Sequence, residues 1–188
     1  MSTPTMPTPH RIVFLHGLEG SPNGTKPGWL RAAGHAVTAP LLETRALVAA
    51  FMAGAPPTPD LWAEAFETAK ATVTRNETDV LVGSSFGGGL ALELMHRGLW
   101  RGPAVLLAPA GRRLFGRSTL PVGHAPVAIL HGRRDDVIPV ADSVSLAADS
   151  TGEVTLALVD DDHRLHAAVQ AGWLGRLVAA VVSSAASH

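Results

Sequence analysis

Apolar residues in this chain occur in short runs that end abruptly in glycine, proline or small polar residues. Such runs are typical of buried strands in a parallel sheet, and the segments between them carry apolar residues at helical spacing. This alternation predicts an α/β protein: a three-layer α/β/α sandwich with a mostly parallel sheet of about six strands and right-handed crossovers. The strands are predicted at residues 11–15, 36–39, 79–83, 104–108, 126–130 and 154–159.

The clearest helical pattern begins at Asp60, a residue type that caps helix N-termini, and is expected to continue to Arg75. Residues 42–52 could form a helix as well. Residues 109–121 contain glycine, proline and several arginines, so this segment is expected to run over the surface. Further helices are predicted at residues 27–33, 85–97, 140–148 and 165–183, the last of them broken or loosened near Gly172 and Gly175.

The length of 188 residues favours one domain with a substantial core. Residues 10–188 are expected to form this single domain, because no linker or repeat interrupts them. Residues 1–9 are rich in proline and threonine and are expected to be a flexible tail. They lack the apolar segment of a signal peptide, and no later run approaches membrane-spanning length. We therefore expect a cytoplasmic protein without a membrane partner.

The composition excludes several kinds of partner and reactive group. The net charge of −1 at pH 7, without a basic patch, argues against a nucleic-acid partner. The chain has no cysteine, which excludes disulfides, thiolate metal sites and a cysteine nucleophile. Apolar residues make up 46% and charged residues 16% of the chain, proportions that suit a compact globular enzyme.

A G-x-S-x-G pattern lies between the third predicted strand and the helix that follows it, as Gly83-Ser84-Ser85-Phe86-Gly87. A sharp strand-to-helix turn strains the backbone of its central residue, so small residues are needed two positions before and after it. The turn would lift the Ser85 hydroxyl above the sheet edge, at a helix N-terminus that favours negative charge. Ser85 is thus a candidate nucleophile. The alternative is a plain glycine-rich turn.

Two further chemical groups follow predicted strands. Asp135 comes after the fifth strand and His163 after the sixth. Because the carboxyl ends of parallel strands lie at one edge of a sheet, we expect both to meet Ser85 there. The order Ser, Asp, His is that of the α/β-hydrolases.

Four motifs carry a family resemblance: His16-Gly17 after the first strand, G-x-S-x-G at residues 83–87, H-G-x-x-D-x-x-[VI]-P at residues 131–139, and Asp162-His163 before the last helix. Together they resemble the α/β-hydrolase superfamily, specifically its small, essentially capless bacterial esterase-like proteins, over nearly the whole chain. The resemblance implies a minimal α/β-hydrolase fold without a full cap domain.

The resemblance also implies roles for individual residues. Ser85 would be acylated, His163 would move its proton, and Asp135 would orient His163. The backbone N–H groups of Leu18 and Phe86 would form an oxyanion hole. No metal and no cofactor are expected.

Alternatives remain open at several of these positions. Asp136 could be the acid instead of Asp135, and His166 the base instead of His163. His131 is expected to be a structural residue of its turn. The three consecutive acids at residues 160–162 only weakly suggest a metal site, because neighbouring side chains point in different directions.

Substrate-binding candidates surround the expected site. They are His16, which is expected to brace the oxyanion loop, Glu19, Leu114, Phe115 and Ile138. Trp62 could also line an acyl pocket, although ordinary packing is as good an explanation. The arginines at positions 112, 113 and 117 could overhang the site and attract an acidic group, whereas Glu19 would repel one.

The sequence therefore predicts a serine hydrolase that cleaves small carboxylic esters through an acyl-enzyme, with a small-molecule ester as its partner. Short acyl groups are expected because no large cap is present to enclose a long one. A thioesterase, an amidase or a cofactor-free perhydrolase would use the same triad. A non-catalytic ligand-binding protein of this fold is the alternative from another class.

Overall fold

A computed structural model describes residues 8–187 of the chain. Its six strands form one sheet in the order β2-β1-β3-β4-β5-β6, and every neighbouring pair is parallel. The predicted tail at residues 1–9 lies outside the described residues except for its last two. The strands are β1 Arg11–Leu15, β2 Ala36–Thr38, β3 Val80–Ser84, β4 Ala104–Leu107, β5 Val127–Gly132 and β6 Val154–Val159.

Helices cover both faces of this sheet, because successive side chains of each strand point to opposite sides. On β1, Val13 and Leu15 enter one core cluster together with apolar residues of the helices between positions 45 and 148. Ile12 and Phe14 enter a second cluster with residues of the first helix and of the last two helices. The predicted three-layer sandwich is confirmed. The helices are α1 Thr25–Ala32, α2 Arg45–Met52, α3 Ala63–Arg75, α4 Phe86–His96, α5 Gly111–Phe115, α6 Val140–Ala148, α7 His166–Gln170 and α8 Trp173–Ala185.

The start of α3 differs from the prediction. Asp60 does not cap α3; it lies inside a separate turn of 3-10 helix, Pro59–Leu61, which Trp62 ends. The proline fixes a backbone angle that suits a helical first turn, which explains why the shorter element forms there. The break predicted near Gly172 in the closing helix is confirmed, because Gly172 adopts a left-handed conformation, with φ of 80°, between α7 and α8.

The segment after β4 is only partly a surface excursion. Residues 111–115 form α5, and Leu114 and Leu120 are buried in the core. The prediction for residues 109–121 is therefore corrected, since apolar side chains at helical spacing turn this segment back onto α4. None of the helices within residues 8–187 is long and apolar enough to cross a bilayer.

Candidate active site

Ser85 sits at the junction of β3 and α4 with φ of 54° and ψ of −114°. A non-glycine residue at positive φ costs of the order of 1–3 kcal/mol, so the surrounding structure must hold it there. Close packing does so: a Cβ on Gly87 would lie 2.1 Å from the Leu15 carbonyl oxygen, and one on Gly83 would lie 2.5 Å from the Gly87 carbonyl oxygen. Only glycine fits at either position, so G-x-S-x-G reflects the packing of α4 against β1 and β3.

His163 connects Ser85 to Asp135. Its Nδ1 lies 2.7 Å from Asp135 Oδ2, and its Nε2 lies 3.0 Å from Ser85 Oγ. Since the carboxylate can only accept, Nδ1–H donates to Asp135, which leaves Nε2 to accept the Ser85 hydroxyl proton. The loops after β3, β5 and β6 supply one residue each, so the sheet edge brings the three side chains together.

The Asp135 side chain is fully buried, with 0% exposure. Its Oδ1 accepts the backbone N–H groups of Val137 at 2.9 Å and Ile138 at 2.8 Å. Burial by itself would raise the pKa of Asp135, but the hydrogen bonds from His163 and from these two N–H groups outweigh it and lower that pKa. The carboxylate is therefore held in its ionised form.

A second imidazole shares the Asp135 carboxylate. His131 is completely buried at the end of β5, and its Nε2 lies 3.0 Å from Asp135 Oδ2 and 3.1 Å from the Ile138 carbonyl oxygen. Its Nδ1 lies 2.7 Å from Ser143 Oγ. Because both neighbours of Nε2 are acceptors, Nε2 carries the proton, and Nδ1 accepts from the Ser143 hydroxyl. Burial lowers the pKa of His131, which keeps it neutral.

Sequence reasoning treated His131 only as a turn residue and missed its contact with the acid. The spacing of four residues between His131 and Asp135, across a glycine at the end of a strand, was the available signal. This spacing was not sufficient to predict the contact, because the His131 ring reaches Asp135 only where the loop turns back towards the end of β5.

The loop after β1 packs directly against the strand-to-helix turn that carries Ser85. A Cβ on Gly17 would lie 3.3 Å from the Ser85 Cβ. Gly20 N–H donates to the Gly17 carbonyl at 3.0 Å, which closes a tight turn around Leu18. The buried His16 ring fixes this loop: Nδ1–H donates to the Gly17 carbonyl at 2.8 Å, and Nε2 accepts the Leu42 N–H at 3.1 Å. The contacts place His16 as a brace of this loop.

A cavity of about 850 Å³ opens above Ser85 and His163. Loops after β1, β5 and β6 form its walls, and most of its side chains are polar. His16, Leu18 and Glu19 line it, as three of the expected contacts. The other lining side chains with polar or charged groups are Ser21, Thr25, Lys26, Ser84, Arg134, Asp136, Asp162, Arg164 and His166.

Leu114, Phe115 and Ile138 do not line this cavity, so the structure corrects their expected place in the pocket. Leu114 and Ile138 are buried in the core, and Phe115 packs against it. The Phe115 ring stacks on Phe86 with a centroid distance of 6.1 Å. Trp62 lies beside Phe115 at 4.7 Å, in core packing as well.

The three arginines in or near α5 also lie away from the cavity. Arg117 pairs with Glu93 at 2.7 Å. Arg112 lies 3.8 Å from Asp142, and Arg113 donates to the Val137 carbonyl at 3.3 Å. None of these arginines lines the cavity.

The alternative acid and base, Asp136 and His166, line the cavity. Within residues 8–187, neither is hydrogen-bonded to a member of the Ser85–His163–Asp135 chain.

The three consecutive acids diverge, as expected for neighbouring side chains. Asp160 pairs with Arg134 at 3.0 Å. Asp161 accepts the backbone N–H groups of Asp162 and Ala168. Asp162 accepts the Arg164 N–H at 2.8 Å. Each carboxylate thus has a different local partner.

No protein-family model matches the sequence, and a comparison with curated proteins finds no match. Solved structures do match. A candidate hydrolase of the α/β superfamily from Xanthomonas campestris pv. campestris is 25% identical, with a TM-score of 0.64, over 93% of this chain and 98% of that one. Mouse alpha/beta hydrolase domain-containing protein 10 has a TM-score of 0.66 at 18% identity, over 89% of both chains.

Est1E from Butyrivibrio proteoclasticus, solved with ferulic acid, has a TM-score of 0.60 at 17% identity. It covers 93% of this chain and 91% of its own. The structural neighbours are thus hydrolases and esterases of the α/β superfamily. Both the resemblance to that superfamily and the predicted fold are confirmed: the chain has the α/β-hydrolase fold, in a compact form.

Proposed function

We propose that this protein is a serine hydrolase that cleaves small carboxylic esters through an acyl-enzyme intermediate. The observation that carries the proposal is the hydrogen-bonded chain from Ser85 through His163 to Asp135, with distances of 3.0 and 2.7 Å, at the floor of an open cavity. Its esterase and hydrolase neighbours support the same class of reaction.

In the first half of the reaction, Ser85 Oγ attacks the ester carbonyl while its proton passes to His163 Nε2. Asp135 stabilises the imidazolium that forms. The negative charge on the carbonyl oxygen requires donors, and we assign these to the backbone N–H groups of Leu18 and Phe86. The first-turn N–H of a helix has no intrahelical partner, which leaves that of Phe86 available.

Collapse of the tetrahedral intermediate then breaks the bond to the alcohol oxygen, which leaves with the proton held by His163. In the second half, His163 Nε2 removes a proton from water, and the resulting hydroxide attacks the acyl carbonyl. When the second tetrahedral intermediate collapses, its bond to Ser85 Oγ breaks, His163 returns the proton to Oγ, and the carboxylic acid is released.

Short or small acyl groups fit the walls of the cavity best. The apolar side chains expected to hold a long acyl chain are packed in the core instead, and half of the lining residues are charged or carry a hydroxyl group. Burying a long alkyl chain against such groups would leave them without hydrogen bonds, at a cost of about 1–3 kcal/mol for each.

Hydrolysis of p-nitrophenyl acetate and butyrate by the purified protein tests the proposal. We expect turnover of both esters, and a loss of about 10⁴-fold or more in Ser85→Ala. Ser84→Ala is the matched control, because Ser84 also lines the cavity but belongs to β3 and, among the described residues, has no hydrogen bond to His163. A fluorophosphonate should label the wild-type protein and Ser84→Ala but not Ser85→Ala. Undiminished turnover in folded Ser85→Ala would reject the mechanism.

A further inference from the structure

Lys26 lies in the second position of α1 and lines the same cavity as Ser85 and His163. Its side chain is partly buried, and burial lowers the pKa of Lys26, although the charges of Asp161 and Asp162 act in the opposite direction. An ammonium carries three N–H donors and no acceptor. A partly desolvated lysine therefore gains strongly from an anionic or carbonyl acceptor.

One of the two arginines in the cavity wall already has such acceptors. Arg134 lies 3.0 Å from an Asp160 carboxylate oxygen and donates to the Asp160 carbonyl. Arg164 lies 4.0 Å from Glu19, beyond hydrogen-bond distance, but its side chain is 69% exposed and can donate to water. Among the residues that the structure describes, Lys26 has neither a hydrogen-bond acceptor nor a carboxylate within 4.0 Å. Lys26 is thus the partly buried cation of this wall whose donors are unused.

Asp161 and Asp162 do not take these donors, although they lie close enough to act on Lys26 by charge. Asp161 is buried, and its two carboxylate oxygens accept the N–H groups of Asp162 at 2.9 Å and Ala168 at 2.8 Å. Asp162 is exposed and caps its own turn by accepting the Arg164 N–H. Both carboxylates are therefore committed to shaping the loop that carries His163.

Glu19 would repel an anion at the cavity mouth, but its side chain is 89% exposed. Solvent and salt screen an exposed charge more than a partly buried one. The field inside the cavity is therefore set more by Lys26 than by Glu19.

We propose that Lys26 binds a carboxylate on the substrate, so that the preferred substrates are small esters that carry an anionic group near the scissile bond. The inference rests on the proposed ester hydrolysis and deepens it by naming the substrate class. A substrate carboxylate would accept charge-assisted hydrogen bonds from the ammonium. It would also hold the ester at a fixed distance from Ser85.

A matched pair of substrates tests this role. 4-Acetoxybenzoate and methyl 4-acetoxybenzoate have the same acetyl group and the same scissile bond, but only the first carries a charge. We expect the ratio of their kcat/KM values, anionic over neutral, to fall about tenfold or more in Lys26→Met. Lys26→Arg should keep most of the preference, since the guanidinium also donates to a carboxylate.

Lys70→Met is the control, because it makes the same chemical and charge change on α3, where Lys70 pairs with Glu67 at 2.9 Å on the surface. Lys70→Met should give the same anionic-over-neutral ratio of kcat/KM values as the wild-type protein. An unchanged ratio in Lys26→Met overturns the proposal. An equal loss for both esters, together with a lowered melting temperature, also overturns it, because Lys26 would then only support the loop of Asp161 and Asp162.

A binding measurement separates this proposal from the catalytic one. Calorimetric titration of Ser85→Ala with 4-acetoxybenzoate needs no turnover, and we expect affinity to drop about tenfold in Ser85→Ala/Lys26→Met. Loss of affinity without Ser85-dependent hydrolysis in the wild-type protein would reject the esterase and retain the anion site. Equal affinity in the two proteins would reject the anion site, whatever the esterase result.

Discussion

Two buried carboxylates in this protein have similar exposure and contrasting partners. The Asp135 side chain is 0% exposed and accepts hydrogen bonds from two backbone N–H groups and from His163, while His131 Nε2 lies 3.0 Å from its Oδ2. The Glu93 side chain, on α4, is 5% exposed and is held at 2.7 Å by the guanidinium groups of both Arg97 and Arg117. One carboxylate is surrounded by neutral donors and the other by permanent cations.

The difference in partners determines what each of the two carboxylates can do. The Glu93 charge is already neutralised by its arginines, so this cluster can only fasten α4 to the segment after α5. Asp135 remains ionised without a resident cation, because neutral donors satisfy its oxygens. It can therefore stabilise a positive charge on His163 in the proposed reaction.

Asp135→Asn should produce the largest effect. The amide keeps the size of the side chain but can present N–H to His163 Nδ1, which favours the tautomer in which Nε2 carries the proton. We expect kcat for p-nitrophenyl acetate to fall about 10⁴-fold, with little change in thermal stability. Glu93→Gln, the corresponding change at the other carboxylate, should keep turnover at 25 °C. A similar activity loss in both variants would remove the distinction between them.

Glu93→Gln should instead lower stability. It removes the negative charge and leaves one amide oxygen, which can accept from only one of the two arginines, and a hydrogen bond to a charged group contributes about 1.5–3 kcal/mol. Both arginines are partly exposed, however, and regain water, so we expect a loss of about 1–3 kcal/mol in the free energy of unfolding. Urea denaturation followed by circular dichroism measures it. Arg117→Met, which leaves Glu93 with one arginine partner, should be destabilised as well. Unaltered urea midpoints in both variants would show that the Glu93 cluster does not stabilise the fold.

His131→Leu tests whether the second imidazole supports the acid. Loss of one donor to Asp135 Oδ2 leaves the carboxylate freer to move, and we expect kcat to fall about tenfold while KM changes less. Ser143→Ala is the comparison variant, because it removes the hydroxyl partner of His131 and leaves the bond to Asp135 in place. Ser143→Ala should lower kcat less than His131→Leu does. Equal kcat values for His131→Leu and the wild-type protein would assign His131 to packing alone.

The pH dependence of stability gives the smallest expected effect. Burial would raise the pKa of Glu93, but its hydrogen bonds to Arg117 and Arg97 outweigh burial and lower that pKa in the folded state. Its contribution to stability is therefore present above the unfolded-state pKa of about 4.3 and is lost as pH falls through the folded-state pKa. The stability gap between the wild-type protein and Glu93→Gln should be constant from pH 6 to 7 and shrink below about pH 4. A gap that widens in acid would contradict the assigned sign.

The strand pattern was sufficient to predict the sheet. Buried parallel strands are continuous apolar runs, and glycine or proline marks their ends, so all six were located and β6 was predicted with its observed bounds. Ser85, Asp135 and His163 could be brought together from sequence because parallel strands end at one edge. Topology placed these positions at one edge, and the motifs of the family resemblance selected Asp135 over Asp136 and His163 over His166.

The pocket walls could not be predicted in this way. Leu114 and Phe115 are apolar residues near the site, and their segment was expected to overhang it. Phe115 instead lies against Gly89 of α4, where a Cβ would be 2.5 Å from the ring. The space left by one glycine therefore decides which way the segment folds. Such tertiary complementarity is not visible in local spacing, and neither is the return of His131 towards Asp135.

The position of β6 has a consequence for biosynthesis. It is the last strand in the chain, it lies at the edge of the sheet, and β5 is its neighbour. A ribosome therefore adds Ser85 and Asp135 to the chain before it makes the loop that carries His163. Until β6 joins the sheet, a nascent chain holds the proposed nucleophile without its proposed base. Order of synthesis thus keeps the Ser85–His163–Asp135 chain incomplete until the sheet is complete.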